Sequence, residues 1–417
     1  MTRREMLFFS MLSAGVALRA PIAQAQNNAS GGVFSDSVVR AYLKSIIPSR
    51  ESIDTFLAGR QGPEQLSRHE GWKYDAELGW VHCDVVRSNS IGRTKGYYSY
   101  ERDGARKVTN SAGENCRIHS YGNSFTHCDQ VSDGETWQEF LASHIREPIR
   151  NYGVGGYGVY QAYRRMLRVE QERSAEYIIF NIWSDDHYRS LDAWRSIRFG
   201  QGSNCGFTLP HLRVDVANDK CEERENILSQ ADDVYKLLDE DYLFETFRDD
   251  PILKMVLSAR SDSAASGKLS KPVAVNFGIP DELIADTPMA ERIIKIHTEA
   301  ALYATTKVLE WTEKFATDNG KKLMVILSFD RENVALDLAG KPRFDQTLVD
   351  WLEDKPYPVV DMREPFKREY ANYKGDIDSF LKPYYIGHHT PLGNYFFARA
   401  LRESIIPWLE PKPRPYR

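Results

Sequence analysis

Residues 116–126 read CRIHSYGNSFT. The first six residues alternate as in a short strand, Gly122 allows a sharp turn, and a helix signal follows Ser124. At the end of a strand, a serine hydroxyl, its backbone N–H and the positive end of the next helix can approach one carbonyl group. Ser124 is therefore a candidate nucleophile, although an ordinary serine in a turn has the same local pattern.

A second informative stretch, GHHTPLGN, covers residues 387–394. Thr390 followed by Pro391 predicts the start of the last helix, because a hydroxyl caps a helix and proline suits its first turn. His388 then lies in the loop before that helix, and a neutral imidazole can accept a hydroxyl proton near pH 7. His388 is the candidate general base, with His389 as the alternative.

Between these stretches, helical and strand patterns alternate along the chain. The periodicity predicts helices over 159–172, 288–318 and 346–353 and strands over 177–183, 322–328 and 358–361. A capping box at 132–135 predicts a further helix start, and residues 34–58 read as one helix. Alternation of this kind indicates an α/β fold with a parallel sheet and helices on both of its faces.

Three of these stretches resemble the sequence blocks of the SGNH (GDSL-type) hydrolases. Gly122-Asn123-Ser124 is similar to their Gly-Asp-Ser block, residues 151–156 (NYGVGG) to their second block, and residues 388–393 (HHTPLG) to their last block. The resemblance implies a three-layer α/β/α, flavodoxin-like fold and an esterase. It assigns the nucleophile to Ser124, the base to His388, and the oxyanion hole to the N–H groups of Ser124 and Gly156.

The sequence departs from the family pattern at two places. After the strand 177–183, Ser184 stands where the family has an asparagine that donates to the oxyanion, and Asn181 lies three residues earlier; either could be a third donor. Tyr385 stands where the family has the acid of its triad. Asp378 and Asp376, near the histidine in sequence, and Asp185 and Asp186, at the predicted sheet edge, are the candidate acids; a Ser–His dyad is the alternative.

The resemblance and the composition together suggest how the chain is divided. Residues 1–25 are predicted to be a twin-arginine-like signal peptide, because an Arg-Arg pair precedes a short apolar stretch and an Ala-Gln-Ala cleavage site. Residues 26–114 are predicted to hold a helix and a small β appendage, and 115–410 the hydrolase domain. An aromatic-rich insertion is expected over 187–285 and a loose tail over 411–417.

Charge and length limit the partners that are expected. The net charge is −5, and removal of three arginines and one glutamate with residues 1–25 makes it −7. An acidic chain without a basic, aromatic-rich cluster is a poor nucleic-acid binder. The apolar stretch of the signal is too short for a stable membrane anchor. A periplasmic or extracellular protein is therefore expected, and its oligomeric state stays open.

The five cysteines permit two nearby pairs, Cys116 with Cys128 and Cys205 with Cys221, and for each pair a disulfide and two thiols are equally consistent with the sequence. Metal binding is not expected, since the adjacent histidines point apart and histidines at helical spacing are lacking. No cofactor is expected either.

Two other classes of function compete with an esterase. Residues 153–158, GVGGYG, fit the Gly-x-Gly-x-x-Gly fingerprint of dinucleotide-dependent oxidoreductases, with Asp185 as the acid of the next strand. The strand before them is short and polar, however, whereas a buried parallel strand is nearly all apolar. A glycan-binding protein that keeps the hydrolase fold without turnover is the other alternative.

The preferred interpretation is an exported serine esterase. Export and the aromatic residues of the insertion favour an O-acylated carbohydrate as substrate. A lipid ester or a thioester is the alternative substrate.

Overall fold

The computed structural model of this chain describes residues 34–58, 71–88, 95–200, 207–261 and 263–417. The predicted signal peptide lies outside these residues. Among the described helices, none is both long and apolar enough to cross a membrane.

The strands follow one another along the chain with the bounds β1 Trp72–Asp75, β2 Gly79–His82, β3 Val85–Ser88, β4 Lys95–Tyr98, β5 Ile118–Tyr121, β6 Ile149–Asn151, β7 Tyr177–Trp183, β8 His211–Asp215, β9 Lys220–Arg224, β10 Lys322–Ser328 and β11 Val359–Asp361. Five of them form one sheet in the order β11-β10-β7-β5-β6, and all neighbouring strands in it are parallel. The remaining strands form two-stranded sheets.

The five-stranded sheet has the flavodoxin-like order. Numbered along the chain, its strands lie in the order 2-1-3-4-5, because the chain passes from β5 outward to β6 and then returns to the other side of β5 as β7. The predicted α/β class and flavodoxin-like sheet are thus confirmed. In such sheets, ligands bind outside the carboxyl ends of the strands where the order reverses, which here is between β5 and β7.

The described helices follow one another along the chain with the bounds α1 Asp36–Ser45, α2 Arg50–Ala58, α3 Ser124–His127, α4 Trp137–Ile145, α5 Val159–Glu172, α6 Asp186–Arg189, α7 Ser196–Phe199, α8 Glu240–Phe247, α9 Pro251–Arg260, α10 Ser263–Phe277, α11 Arg292–Asp318, α12 Arg331–Leu338, α13 Gln346–Glu353, α14 Arg363–Tyr370, α15 Ile377–Leu381 and α16 Pro391–Trp408.

The central strand β7 shows why the sheet forms. Ile178, Ile179 and Phe180 in it are fully buried, as expected for a parallel strand covered on both faces. Burial of each of these side chains contributes about 1.5–3 kcal/mol relative to exposure. The run is therefore strand-forming and core-forming at once, and the loop that follows it is held at a fixed place at the sheet edge.

The predicted single helix over 34–58 is wrong. The structure has two helices, α1 and α2, with Pro48 between them. Proline lacks the N–H that continues a helix and disfavours helical backbone in the residue before it. The segment therefore breaks at this position.

The capping box at Ser132 and Glu135 also has a different role from the predicted one. It caps the 3-10 turn Asp133–Glu135, and α4 begins later, at Trp137. Thr136 is the N-cap of α4, and its side chain accepts the N–H of Glu139 at 3.2 Å. The helix that the sequence predicts here exists, but its cap is a neighbouring threonine.

The described chain divides into two compact units. One comprises the described residues of 34–58, 73–80 and 188–304, and the other those of 71–72, 81–187 and 305–417. The five-stranded sheet lies in the second unit. The domain boundaries inferred from the sequence stay predictions, and within the tail the structure has the 3-10 turn Arg414–Tyr416.

The structure shows whether the first of the two nearby cysteine pairs is a disulfide. Cys116 and Cys128 are free thiols. The Cys116 Sγ donates to the carbonyl oxygen of Ile118 at 3.2 Å, and burial raises the pKa of the Cys128 thiol to about 12. Cys205 lies outside the described residues, so a disulfide and two thiols both stay predictions for Cys205 and Cys221.

Candidate active site

Ser124 and His388 meet at the sheet edge. The Ser124 Oγ lies 2.8 Å from the His388 Nε2, although the two residues are 264 positions apart in the sequence. Ser124 is the first residue of α3, directly after β5, and His388 precedes α16, whose N-cap is Thr390 as predicted. The structure therefore brings the predicted nucleophile and the predicted base into hydrogen-bond contact.

The turn before Ser124 requires glycine. Gly122 has a φ of 153°, and a Cβ on it would lie 2.2 Å from the Thr126 Oγ1 and 2.4 Å from the carbonyl oxygen of Asn181. Asn123 caps α3 by accepting the N–H of Phe125 at 2.8 Å and donates to the Asp186 Oδ1 at 2.7 Å. Because α3 is a single turn, the dipole of a long helix does not develop behind Ser124. Local hydrogen bonds position the serine instead.

The third member of the site is Gln130, which the sequence did not reveal. Its Oε1 lies 2.8 Å from the backbone N of His388 and 3.0 Å from the His388 Nδ1. A backbone N–H can only donate, so the amide atom that faces it is the oxygen, and the Nδ1 beside the same oxygen carries the proton. The Nε2 is then the acceptor for the Ser124 hydroxyl. Gln130 thus holds the imidazole in the tautomer that a general base needs.

Gln130 lies in a strained loop that a buried arginine holds. Its φ is 75°, and its N–H donates to the Tyr98 Oη at 2.5 Å. Arg106, which is 2% exposed, donates to the carbonyl oxygens of His127 at 2.6 Å and Cys128 at 2.9 Å, and its Nε lies 3.0 Å from the Asp133 Oδ1. Left-handed backbone is costly for a residue other than glycine unless its surroundings impose it. Arg106 and Tyr98 impose it here.

The candidate acids have other partners. The carboxylate of Asp378 is exposed and pairs with Arg331, so the structure does not bring it to His388. Asp376 caps α15 by accepting the N–H of Ser379. Asp186 is buried and also accepts the N–H of Trp183 at 2.9 Å. Asp185 is half-buried. Burial lowers the pKa of the neighbouring His187 to about 4, and the charge of Asp185 acts against this shift.

Two residues beside the predicted base have packing roles. Tyr385 is buried, its hydroxyl donates to the carbonyl oxygen of Phe329 at 3.1 Å, and burial raises its pKa well above the ordinary value. His389 is 4% exposed and packs edge-on against Phe125. Burial and the neighbouring His388 lower the pKa of His389 to about 3. His388 is therefore the histidine that faces Ser124.

The predicted oxyanion residues lie in two loops. Residues 153–156, here called the oxyanion loop after the role predicted for Gly156, follow β6, and the N–H of Val154 donates to the carbonyl oxygen of Gly122 at 3.0 Å. Gly156 has a φ of 86° in this loop. Gly153 packs so closely against α3 that a Cβ on it would lie 2.3 Å from the backbone N of His127. The loop with the second predicted donor is thus fastened to the turn with the predicted nucleophile.

The two candidates for a third donor differ in their surroundings. The Asn181 Nδ2 donates to the Thr126 Oγ1 at 3.0 Å and so supports the turn that holds Ser124. Ser184 follows the carboxyl end of β7, and its Oγ is buried without a hydrogen-bond partner among the described residues. A buried hydroxyl without a partner is costly. Ser184 is therefore the better of the two candidates.

The residues that could hold a metal ion are His82, His127 and Asp129, whose ligand atoms lie within 4.8 Å of one another. Protein groups now contact the nitrogens of both rings. The backbone N–H groups of the dinucleotide fingerprint are also occupied, since those of Gly153, Val154 and Gly155 donate to protein acceptors. A pyrophosphate would need such N–H groups unoccupied.

No family model matches the sequence, and no curated protein matches it. A solved structure of a protein assigned to the G-D-S-L family of lipolytic proteins, from Desulfitobacterium hafniense, is similar to this chain with a TM-score of 0.34 and 10% identity. The match covers 70% of this chain and 100% of the other. A likeness with so low a TM-score and identity does not indicate a function for this chain. The geometry of the site is the observation that does.

Proposed function

We propose that this protein is a serine hydrolase that cleaves a carboxylic ester with Ser124 as nucleophile. The observation that carries the proposal is the line of contacts from the Ser124 Oγ through the His388 ring to the Gln130 Oε1, at 2.8 Å and 3.0 Å. A hydroxyl on the Nε2 and an acceptor on the Nδ1 are what general-base activation of a serine requires.

In the proposed reaction, the Ser124 oxygen attacks the ester carbonyl while its proton moves to the His388 Nε2. The imidazolium then gives this proton to the departing alcohol, which leaves an acyl group on Ser124. Water attacks this acyl group while its proton moves to the His388 Nε2, and the bond to the Ser124 oxygen breaks as the oxygen takes the proton back and the acid is released. The oxyanion is held by the N–H groups of Ser124 and Gly156, with the Ser184 hydroxyl as third donor. Loss of one such donor would lower the rate on the order of 10²–10³-fold.

Gln130 replaces the usual carboxylate in this scheme. An amide oxygen fixes the tautomer and the ring orientation as a carboxylate does, but it brings a dipole where a carboxylate brings a full charge. The imidazolium is therefore less stabilised during the reaction. A Ser–His–Gln arrangement is consistent with an esterase of moderate rate, and the non-catalytic alternative is not needed to explain the missing acid.

The proposed substrate is an O-acylated carbohydrate outside the cytoplasm, and the protein is proposed to be exported. Trp183, half-buried at the end of β7, stacks on Phe125 with ring centroids 4.9 Å apart. Phe125 directly follows the nucleophile and is itself buried, so the half-buried Trp183 is the ring of this pair that a sugar could contact, and aromatic faces suit the apolar face of a sugar ring. Lipid esters and thioesters are the competing substrates.

The test compares wild-type protein with Ser124→Ala and His388→Ala on p-nitrophenyl acetate. Ser143→Ala, in an exposed position of α4, is the matched control. We expect both site variants to lose at least about 10³-fold in kcat and the control to keep the wild-type rate. Labelling by a fluorophosphonate should add one adduct to the wild type and none to Ser124→Ala. Equal hydrolysis by wild type and Ser124→Ala would exclude the proposal.

Substrate class is tested with the same proteins. Acetylated xylo-oligosaccharides, tributyrin and acetyl-coenzyme A represent a glycan ester, a lipid ester and a thioester. We expect kcat/KM to be highest for the oligosaccharides. A preference for either of the other two would replace the proposed substrate without changing the proposed chemistry.

A further inference from the structure

We propose that His82, a residue of β2 outside the five-stranded sheet, is a positioning residue for the oxyanion loop. The inference rests on the function proposed above and adds the His82 imidazole to the groups that support the proposed oxyanion hole. The His82 Nε2 lies 3.0 Å from the backbone N of Gly155, and the two residues are 73 positions apart. His82 is 7% exposed, so this hydrogen bond is shielded from water.

The oxyanion loop needs a restraint of this kind because it contains two successive glycines. Gly155 and Gly156 have few steric limits on their backbone angles, so the direction of the Gly156 N–H must be set by contacts. The preceding N–H groups are fixed, since that of Gly153 donates to the Asn151 Oδ1 at 3.0 Å and that of Val154 to the carbonyl of Gly122. The bond to His82 fixes the next peptide group. It thereby sets the start of the peptide that carries the Gly156 N–H.

His82 can serve as this acceptor only in one protonation state. An acceptor at the Nε2 places the ring proton on the Nδ1, which lies 3.3 Å from the carbonyl oxygen of Gly71. A doubly protonated ring would set an N–H against the N–H of Gly155. The two ring contacts therefore describe a neutral imidazole that accepts on the side of the loop.

A second imidazole holds the His82 ring in place. The ring stacks on His127, with centroids 4.2 Å apart and an interplanar angle of 24°, and on Tyr100 at 5.3 Å and 11°. His127 is fixed in turn, because its Nδ1 lies 2.5 Å from the Asp129 Oδ1 and its Nε2 2.6 Å from the Tyr100 Oη. Since His127 is the last residue of α3, the same stacked layer supports the nucleophile helix and the oxyanion loop.

This role differs from metal ligation by the same group. A metal ion on His82, His127 and Asp129 needs nitrogen lone pairs that now accept from Gly155 and Tyr100. A metal on the His82 Nε2 would displace the Gly155 N–H and release the loop. Stoichiometric metal in the purified protein, retained at pH 7 and lost on substitution of His82, would therefore overturn the proposal.

The test uses two complementary variants of the full chain. His82→Phe keeps an aromatic ring in the stack but removes the acceptor, and His82→Gln restores an acceptor without the ring. Cys83→Ser, at the neighbouring position, is the control. Hydrogen–deuterium exchange of the peptide that covers residues 151–158 reports the loop directly and needs no catalytic activity. We expect faster exchange in His82→Phe, with recovery toward the wild type in His82→Gln and no change in the control.

Kinetics supply the second readout. On p-nitrophenyl acetate we expect His82→Phe to lower kcat roughly 10–100-fold with KM within about twofold, because only the oxyanion contact is weakened. The affinity for phenylboronic acid, whose adduct with Ser124 mimics the tetrahedral intermediate, should fall by a similar factor. His82→Gln should recover most of both.

The outcomes separate the two proposals. Unchanged loop exchange in His82→Phe, or changed exchange with wild-type kcat and boronate affinity, would overturn the role of His82. Equal hydrolysis by wild type and Ser124→Ala would instead remove the proposed function, and loop exchange would still decide whether His82 positions the loop. If His82→Phe does not fold, His82→Gln and His82→Asn make the same comparison. The glutamine side chain can bring an acceptor to the Gly155 N–H, whereas the asparagine side chain is one methylene group shorter.

Discussion

The Gln130 Oε1 accepts two hydrogen bonds from His388, one from its backbone N–H at 2.8 Å and one from its Nδ1 at 3.0 Å. A single amide oxygen thus fixes both the loop and the ring. The adjacent Gly387 also lies close to this oxygen, since a Cβ on it would be 3.0 Å away. Glutamine therefore occupies the place from which a carboxylate acts in the Ser-His-Asp triad.

Substitution of Gln130 tests this relationship. Gln130→Ala should lower kcat on p-nitrophenyl acetate about 10–100-fold, because the hydrogen bonds that orient the imidazole are worth about 1–3 kcal/mol. Gln130→Glu should keep both acceptor contacts and add a charge that stabilises the imidazolium, so kcat should rise several-fold and the acid limb of the kcat/KM profile should move to higher pH. Wild-type kinetics in Gln130→Ala would show that His388 is oriented by something else.

The two adjacent histidines should behave oppositely. His388→Ala removes the group that contacts Ser124 and should abolish hydrolysis. His389→Phe keeps an aromatic ring among Phe125, Tyr385 and Phe397 and should keep kcat within about threefold of the wild type, since volume-conserving core changes are the best tolerated. Equal losses in the two variants, measured as kcat per folded protein, would contradict the assignment of the base.

The fold could be predicted from the sequence where local signals and burial agree. The bounds of α5, β7 and β10 coincide with the predicted ones, because each is a long run whose pattern is set by its own residues. The Ser124–His388 contact could also be expected, since the carboxyl end of a parallel strand and the loop before the last helix share one sheet edge. In both cases the sequence pattern that places each element or residue spans only a few neighbouring positions.

Gln130 and His82 could not be predicted because their roles depend on distant contacts. Gln130 reaches His388 only in a left-handed backbone that Arg106 and Tyr98 impose, and neither of them lies within its loop. His82 belongs to a two-stranded sheet, whereas the loop that it contacts follows β6 of the five-stranded sheet. Polar pairing between segments leaves no periodic pattern, so only the assembled structure shows it.

Gly122 should be irreplaceable at the nucleophile turn. In Gly122→Ala the new Cβ would meet the Thr126 Oγ1 and the carbonyl of Asn181 at distances that real contacts do not reach. We expect a loss of about 2–4 kcal/mol in the free energy of unfolding and a large loss of kcat. Gly113→Ala is the control and should be neutral, because no described residue beyond the two chain neighbours lies within 4 Å of the new Cβ. Urea unfolding and ester hydrolysis measure both effects, and a stable, active Gly122→Ala would contradict the tight turn.

Buried neutral histidines should make the protein sensitive to acid. Burial and the neighbouring His388 lower the pKa of His389 to about 3, and burial lowers that of His211 to about 4. Between the ordinary histidine pKa of about 6.5 and these values, the unfolded chain binds protons that the folded chain does not, so stability falls as the pH falls. Each such histidine should cost about 2 kcal/mol between pH 8 and pH 5.

His389→Phe isolates one of these contributions. A phenyl ring does not titrate, so the free energy of unfolding of this variant should fall less between pH 8 and pH 5 than that of the wild type, by about 2 kcal/mol. Urea unfolding at the two pH values measures the difference, and a parallel fall in both proteins would show that His389 does not contribute. Because His389→Phe should also keep the proposed esterase activity at pH 8, the same variant separates the stability role of His389 from the proposed catalytic role of His388.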